Sequence, residues 1–370
     1  MRRFANSPLF IALWAALLFL PFRDLRSAGI LFALLFAFLS LMFVIKKVKP
    51  LSCLPVRLRL PDMAGHRNIL LLCVPILFFT FPFFMQNYYL DVLIMFGIYA
   101  LLAMGLNIIV GTTGLLHLGF VAFYAIGAYT YAILNTRFGL GFWICLPVSA
   151  MLSAVAGALL AAPALRLKGD YLAIVTLGFG EIMHITLNNM SRLTNGPNGI
   201  IGIEPPSVFG VSLGRPDRYY YLVWAAVLLA CFVIRRVTGS RIGLAWLAIR
   251  DDEIAASTMG INAMKYKLLA CASGSFWAGL AGIFFAAKMR FVSPESFTFM
   301  ESALVLCMII LGGLGNTYGA IMGAFILVLL PEVLREFQIY RMLVLGVGIV
   351  LIMIYRPYGI LGGGSESART

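Results

Sequence analysis

Long apolar runs separated by short polar stretches dominate this chain. Most are near the roughly 17 to 25 residues that a helix needs to cross a bilayer. Twelve runs can be separated, near 8–20, 28–45, 68–84, 90–110, 115–134, 142–162, 171–188, 219–236, 266–287, 299–313, 316–331 and 340–355. The pattern predicts an all-α polytopic membrane protein. The first run is short and follows "MRR", which also suits a cleavable signal peptide. No A-x-A-type site follows it, and "PFRDLRS" reads as a short external turn, which favours an anchor. Region 299–331 admits either one broken pair or two separate helices.

Composition agrees: 62% of residues are hydrophobic and 12% charged, against roughly a quarter charged in a soluble domain. The net charge of +13 has a membrane explanation, the retention of Lys and Arg on the cytoplasmic side. With both termini cytoplasmic, 18 of the 28 basic residues lie inside. Six of them, with three prolines, fall in 46–67, "KKVKPLSCLPVRLRLPDMAGHR", which reads as a cytoplasmic linker that the prolines keep from continuing either helix. The same orientation puts 249–267 inside the cell. No basic stripe with interleaved aromatics speaks for nucleic acid. Six cysteines lack metal-ligand spacing, and no phosphate-cradling G-x-x-x-x-G-K-[ST], nucleophile elbow or H-E-x-x-H element occurs. Catalysis, resident cofactor and metal are therefore not expected.

Within the runs, "FWICLPVSAMLSAVAGALLAA" sets Ala150, Ala154 and Ala158 four apart with Ser153 and Gly157 beside them. The ninth run repeats the device with Ala270, Gly274, Ala278 and Gly282. Rows of small residues let helices approach closely in lipid, so both helices are expected inside the bundle. In "YLAIVTLGFGEIMHITLNN", Glu181, His184 and Asn188 recur at i, i+3 and i+7 and form one polar stripe, with Leu177 a turn earlier and Thr176 pointing elsewhere. An acid at mid-membrane against lipid costs about 2.5 to 3.5 kcal/mol on the insertion scale. The stripe must face protein or water: either a buried Glu181–His184 pair holding helices in register, or the border of a translocation path. In "GLNIIVGTTGLLHLGFVAFYAIGAY", 105–129, Gly111 and Gly114 flank Thr112 and Thr113. Glycine frees the backbone to turn, and threonine hydroxyls can satisfy exposed peptide groups. This region and "ILGGLGNTYGA", 310–320, are either interrupted helices at membrane depth or tight surface turns, and His117 is a further path candidate.

The polar passage "IRDDEIAASTMGINAMKYKLLA", 249–270, stands apart. Asp251, Asp252 and Glu253 suit a helix start, where backbone N–H groups and the dipole favour negative charge. Ala255, Ala256 and Gly260 leave little bulk, so a short helix there can lie deep in a partner's groove; the alternative is a solvated loop. "SRIGLAWLAIRDDEIAASTMGINAMKYKLLACASGSFWAGLAG" closely resembles the cytoplasmic coupling segment of permeases in bacterial ABC importers, with Glu253, Ala255, Ala256 and Gly260 on the family's Glu-Ala-Ala…Gly element. "LRLKGDYLAIVTLGFGEI" at 165–182, "TNGPNGI" at 194–200, "FVSPESFTFMESALVL" at 291–306 and "YRPYGIL" near the end resemble the branched-chain amino-acid permeases of the LivM type. His117 stands where relatives often carry Ser or Tyr, and His184 where they more often carry Arg.

That resemblance implies a type II-like core of ten helices, 68–361, with a coupling segment over 239–267. An N-terminal two-helix extension and basic linker, 1–67, precede it, and a short tail, 362–370, follows. It implies import of leucine, isoleucine or valine across a bacterial inner membrane, with a second homologous permease, a periplasmic amino-acid-binding protein and two ATPase subunits that bind ATP and Mg. ATP-driven closure of those subunits would move the coupling helix as a lever and bias the bundle between outward- and inward-open states. Urea or short amides are alternative substrates on the same skeleton. A proton-coupled carrier using Glu181 and His184, or a non-transporting scaffold, are readings of another class.

Overall fold

The structure, a computed structural model, describes residues 87–164, 169–208 and 211–333, together with 346, 350, 359 and 360. The first three apolar runs, the basic linker, 165–168 and the run at 340–355 lie largely or wholly outside those residues. The described chain is a helical bundle: α1 (Asn87–Leu106) continuing as a π-helical segment (Asn107–Thr112), α2 (Val121–Phe138), α3 (Phe142–Ala164), α4 (Asp170–Asn189), the single turn α5 (Ser191–Thr194), α6 (Pro216–Thr238), α7 (Arg241–Asp251), α8 (Glu253–Thr258), α9 (Ala263–Met289), α10 (Phe299–Gly312) and α11 (Thr317–Val333). Among the described residues six helical stretches are long and apolar enough to cross a membrane. Helix ends fall within three residues of the apolar runs except for the run at 115–134, whose helix starts six residues late and ends four residues late. The run expected at 115–134 begins as a helix only at Val121, because 114–120 is not helical. Region 299–331 is two helices joined by a turn at 313–316, with Gly313 and Gly315 at positive φ.

Helix α9 is the axis of the bundle and packs along α2, α3 and α1. Its small residues permit this. A Cβ on Gly274 would stand 2.8 Å from the Gly105 carbonyl, and one on Gly282 would stand 2.3 Å from the Tyr124 carbonyl. Apolar side chains gain little by leaving lipid tails, so close backbone approach supplies the packing energy. On α3 the buried row is Ser149, Ser153, Gly157 and Ala161, one residue before the expected Ala150–Ala154–Ala158 row. Gly157 sits against Ser275, and Ser153 donates to the Phe123 carbonyl. Helix α3 is thus buried on one face only, while Met151, Val155 and Leu159 lie exposed on the other.

The break after α1 positions everything that follows. Thr112 and Thr113 turn their hydroxyls back onto the carbonyls of Ile108 and Ile109, the role in satisfying peptide groups expected for them. Gly114, at φ +72°, closes the helix, and the chain runs back into the bundle without helical hydrogen bonds. A buried backbone N–H left unpaired costs about 1–3 kcal/mol. Two are met from other helices: Leu118 N–H donates to Thr176 Oγ1 on α4, and Val121 N–H to Ser302 Oγ on α10, each at 3.1 Å. Region 105–129 is therefore an interrupted helix whose break lies at the end of the bundle, with Gly114 and Leu116 exposed there. At the far end of the bundle, "TNGPNGI" runs from the last residue of α5 through a 3-10 turn (Gly196–Asn198) into a strand (Ile200–Ile201), which pairs antiparallel with Phe291–Val292. Asn195 adopts φ +64° and donates to the Gly199 carbonyl, so this stretch is a backbone device.

Candidate functional site

Two regions carry chemistry beyond packing. The first is the elbow α7–α8 at the end of the bundle where α1 stops. Ser240 caps α7, with its hydroxyl accepting from Ile242 N–H. Asp252 caps α8, one carboxylate oxygen accepting from the N–H groups of Ile254 and Ala255 at 2.8 and 3.0 Å, a contribution of about 1 kcal/mol. A six-residue helix is unstable alone, so tertiary ties hold it. Lys267 Nζ on α9 meets Glu253 Oε1 at 2.7 Å, Ala256 is buried, and Trp246 of α7 is fully buried with its indole N–H donating to the Tyr266 carbonyl.

The three acids therefore separate in role. Asp251 ends α7, Asp252 caps α8, and Glu253 is tied inward to α9. Of the small residues, Ala256 faces the bundle while Ala255 stays exposed. Gly260 has open space around it but sits at φ +84°, so a side chain there is strained by the backbone and not by neighbours. Ile254 and Met259 were not among the residues expected to matter, yet they are 73% and 84% exposed.

The second region is the polar face of α4. Glu181, His184 and Asn188 are each half-buried and share one side of the helix, between the face that packs Leu172, Thr176 and Leu187 into the bundle and the exposed face. Among the described residues no ion pair joins Glu181 to His184; the two ion pairs are Lys267–Glu253 and Lys288–Asp91. His184 Nε2 is enclosed without a hydrogen-bond partner. Ile174, Ile182 and Ile185 flank the stripe in exposed positions. Thr176 points away from the stripe, as expected. His117 is buried against Phe120 and Phe123, and Thr112 and Thr113 are buried with their hydroxyls spent on the backbone. The structure keeps these three off the α4 stripe, although the 114–120 segment bonds to α4 at Thr176.

Residues 88–353 match the family of the branched-chain amino acid transport system permease component. The chain belongs to that family. It is 45% identical over 328 residues to the high-affinity branched-chain amino acid transport system permease protein LivM of Escherichia coli (strain K12), an alignment spanning 82% of this chain and 77% of that protein. The protein of the same description in Salmonella typhimurium is 44% identical over the same shares. Escherichia coli LivH, also described as a high-affinity branched-chain amino acid permease, is 26% identical over 71% of this chain and 91% of its own length. No solved structure matches the chain. Membership makes this a multi-pass, non-enzymatic permease of the inner membrane.

In this permease the sequence reasoning passed over four polar residues that the fold brings into use. Tyr99 donates to Glu301 at 2.8 Å across α1 and α10, and Asn107 Oδ1 accepts from Gly315 N–H at 2.9 Å. Arg250 Nη1 donates to the Gly111 carbonyl at 2.6 Å. The signal for three of them was available, because a polar side chain inside an apolar run is a functional or structural commitment by default.

Proposed function

We propose that this permease imports branched-chain amino acids as the membrane subunit of an ATP-driven assembly. In that assembly it pairs with a second homologous permease, receives substrate from a periplasmic amino-acid-binding protein, and is driven by two ATPase subunits. Residues 68–361 form a type II-like core of ten helices beyond a two-helix extension, with both termini and the elbow cytoplasmic. The observation that carries the reading is the elbow itself. A short helix capped, ion-paired and anchored by Trp246, yet presenting Ile254 and Met259 to solvent, suits a lever gripped by another protein. A family member without a phosphate-cradling loop needs such a grip to be driven.

The α4 stripe supports a path on the outer side of this helix, completed by the second permease. A carboxylate with no ion pair among the described residues, set beside exposed isoleucines, is too costly to leave against lipid. Proteoliposomes holding both permeases and both ATPases, supplied with the loaded binding protein, should take up leucine only when ATP is hydrolysed inside. Glu181→Gln should lower uptake while leaving the unfolding midpoint unchanged. Uptake that persists without ATP hydrolysis and collapses with an uncoupler would replace this reading with a proton-coupled one.

A further inference from the structure

The elbow touches the rest of the bundle at a socket built by residues from three distant stretches. The last carbonyls of an interrupted helix lack internal partners. After the π-helical segment, those of Val110 and Ile109 are taken by the N–H groups of Gly114 and Leu115. The Gly111 carbonyl is taken by the Arg250 guanidinium at 2.6 Å. The stem of Arg250 lies over Gly114, where a Cβ would come within 3.3 Å of its Cγ. On the other side a Cβ on Gly315 would come within 3.0 Å of Arg250 Nη1 and 3.1 Å of the Gly111 carbonyl. Asn107 closes the socket by accepting from Gly315 N–H, and a Cβ on Gly111 would sit 2.1 Å from the Asn107 side-chain oxygen. Gly111, Gly114 and Gly315 leave room for the Arg250 side chain, which lies across them in a notch open to the surface.

From this socket the chain leads directly to the α4 face. Residues 114–120 run without helical support until Leu118 N–H meets Thr176 Oγ1, and Gly119 lies against the backbone of Thr176 and Gly180. Gly180 immediately precedes Glu181. One end of a short, covalently continuous segment is thus clamped by the elbow, and the other is seated on the helix that carries the polar stripe.

We propose that Arg250 is the positioning residue that transmits displacement of the α7–α8 elbow through 111–120 to α4, coupling nucleotide hydrolysis to the substrate path. This rests on the transport function proposed above. Coupling between sites requires an element that both sites bias, and the clamped 111–120 segment is that element. Gly260 and the exposed face of α8 would receive the push; Arg250 would pass it on.

The test uses the complete complex in proteoliposomes, with Arg250→Met, which keeps the stem and loses the fork, and Arg250→Lys, which keeps the charge. ATP hydrolysis and leucine uptake are measured in parallel. Arg250→Met should hydrolyse ATP at close to the wild-type rate while uptake per ATP falls roughly 10-fold, inside the roughly 5- to 150-fold range of inter-site couplings. Arg250→Lys should fall between the two. Combined with Thr176→Val at the far end of the segment, Arg250→Met should show a less than additive loss, because both cut one route. Unchanged uptake per ATP in Arg250→Met, or strictly additive losses, would overturn the proposal. So would failure of both Arg250 variants to assemble, which would make the residue a strut. A wild-type complex that does not transport leucine would instead sink the transport function and leave the contacts of Arg250 as found.

Discussion

Glu253 is one of three consecutive acids at the elbow, and the fold turns it inward. Its partner Lys267 retains 9% of its side-chain exposure while Glu253 retains 38%, so the two ends of the pair are not equivalent. Exposed ion pairs contribute about 0.2–1 kcal/mol, and removing one partner of a fully buried pair costs about 3–5 kcal/mol. Glu253→Gln leaves an ammonium enclosed in the first turns of α9 without its counter-charge. Its cost should fall between those limits, at about 2 kcal/mol. Lys267→Met removes the buried charge and leaves a carboxylate with access to water, so it should cost about 1 kcal/mol or less. The double variant should cost less than the sum by about 1 kcal/mol. Titration with sodium dodecyl sulfate followed by far-ultraviolet circular dichroism, in a double-mutant cycle, reads all three values. Equal small costs for the two single variants, or a double variant that is simply additive, would refute the claim that this pair anchors α8.

Gly127→Ala places a Cβ 2.3 Å from the Gly279 carbonyl and 2.5 Å from its Cα. It should cost about 1–3 kcal/mol by overpacking, whereas Gly178→Ala, with nothing within 4 Å, should be neutral or stabilising by up to about 1 kcal/mol; the same titration separates them. Ser302→Ala orphans the Val121 N–H and should cost about 1–3 kcal/mol, with Ser302→Thr keeping most of the stability. Ile254→Asp with Met259→Asp should leave folding intact, since both side chains face solvent, and reduce co-purification of the ATPase subunits by roughly 10-fold, the loss of a small hot spot; unchanged recovery would remove α8 from the docking surface.

Much of this permease could be read without a structure, for a plain physical reason. Spanning a bilayer forces long apolar helices, so the length of each run determines an element, and helix ends such as those of α3, α6 and α9 follow within three residues. The i, i+3, i+7 spacing of Glu181, His184 and Asn188 likewise determines a shared face, because helical periodicity is local. The polar stretch at 249–270 and the family motifs were legible as strings. Tertiary structure alone decided what those residues do. Backbone groups released where α1 breaks must be satisfied by whatever is nearby in space, and those partners, Thr176, Ser302 and Arg250, lie tens to hundreds of residues away. Nor does spacing say which of two adjacent rows on α3 meets α9, or that Glu253 turns inward while Ile254 and Met259 turn out. Periodicity is a property of one helix, whereas the direction of its faces depends on the helices packed against it.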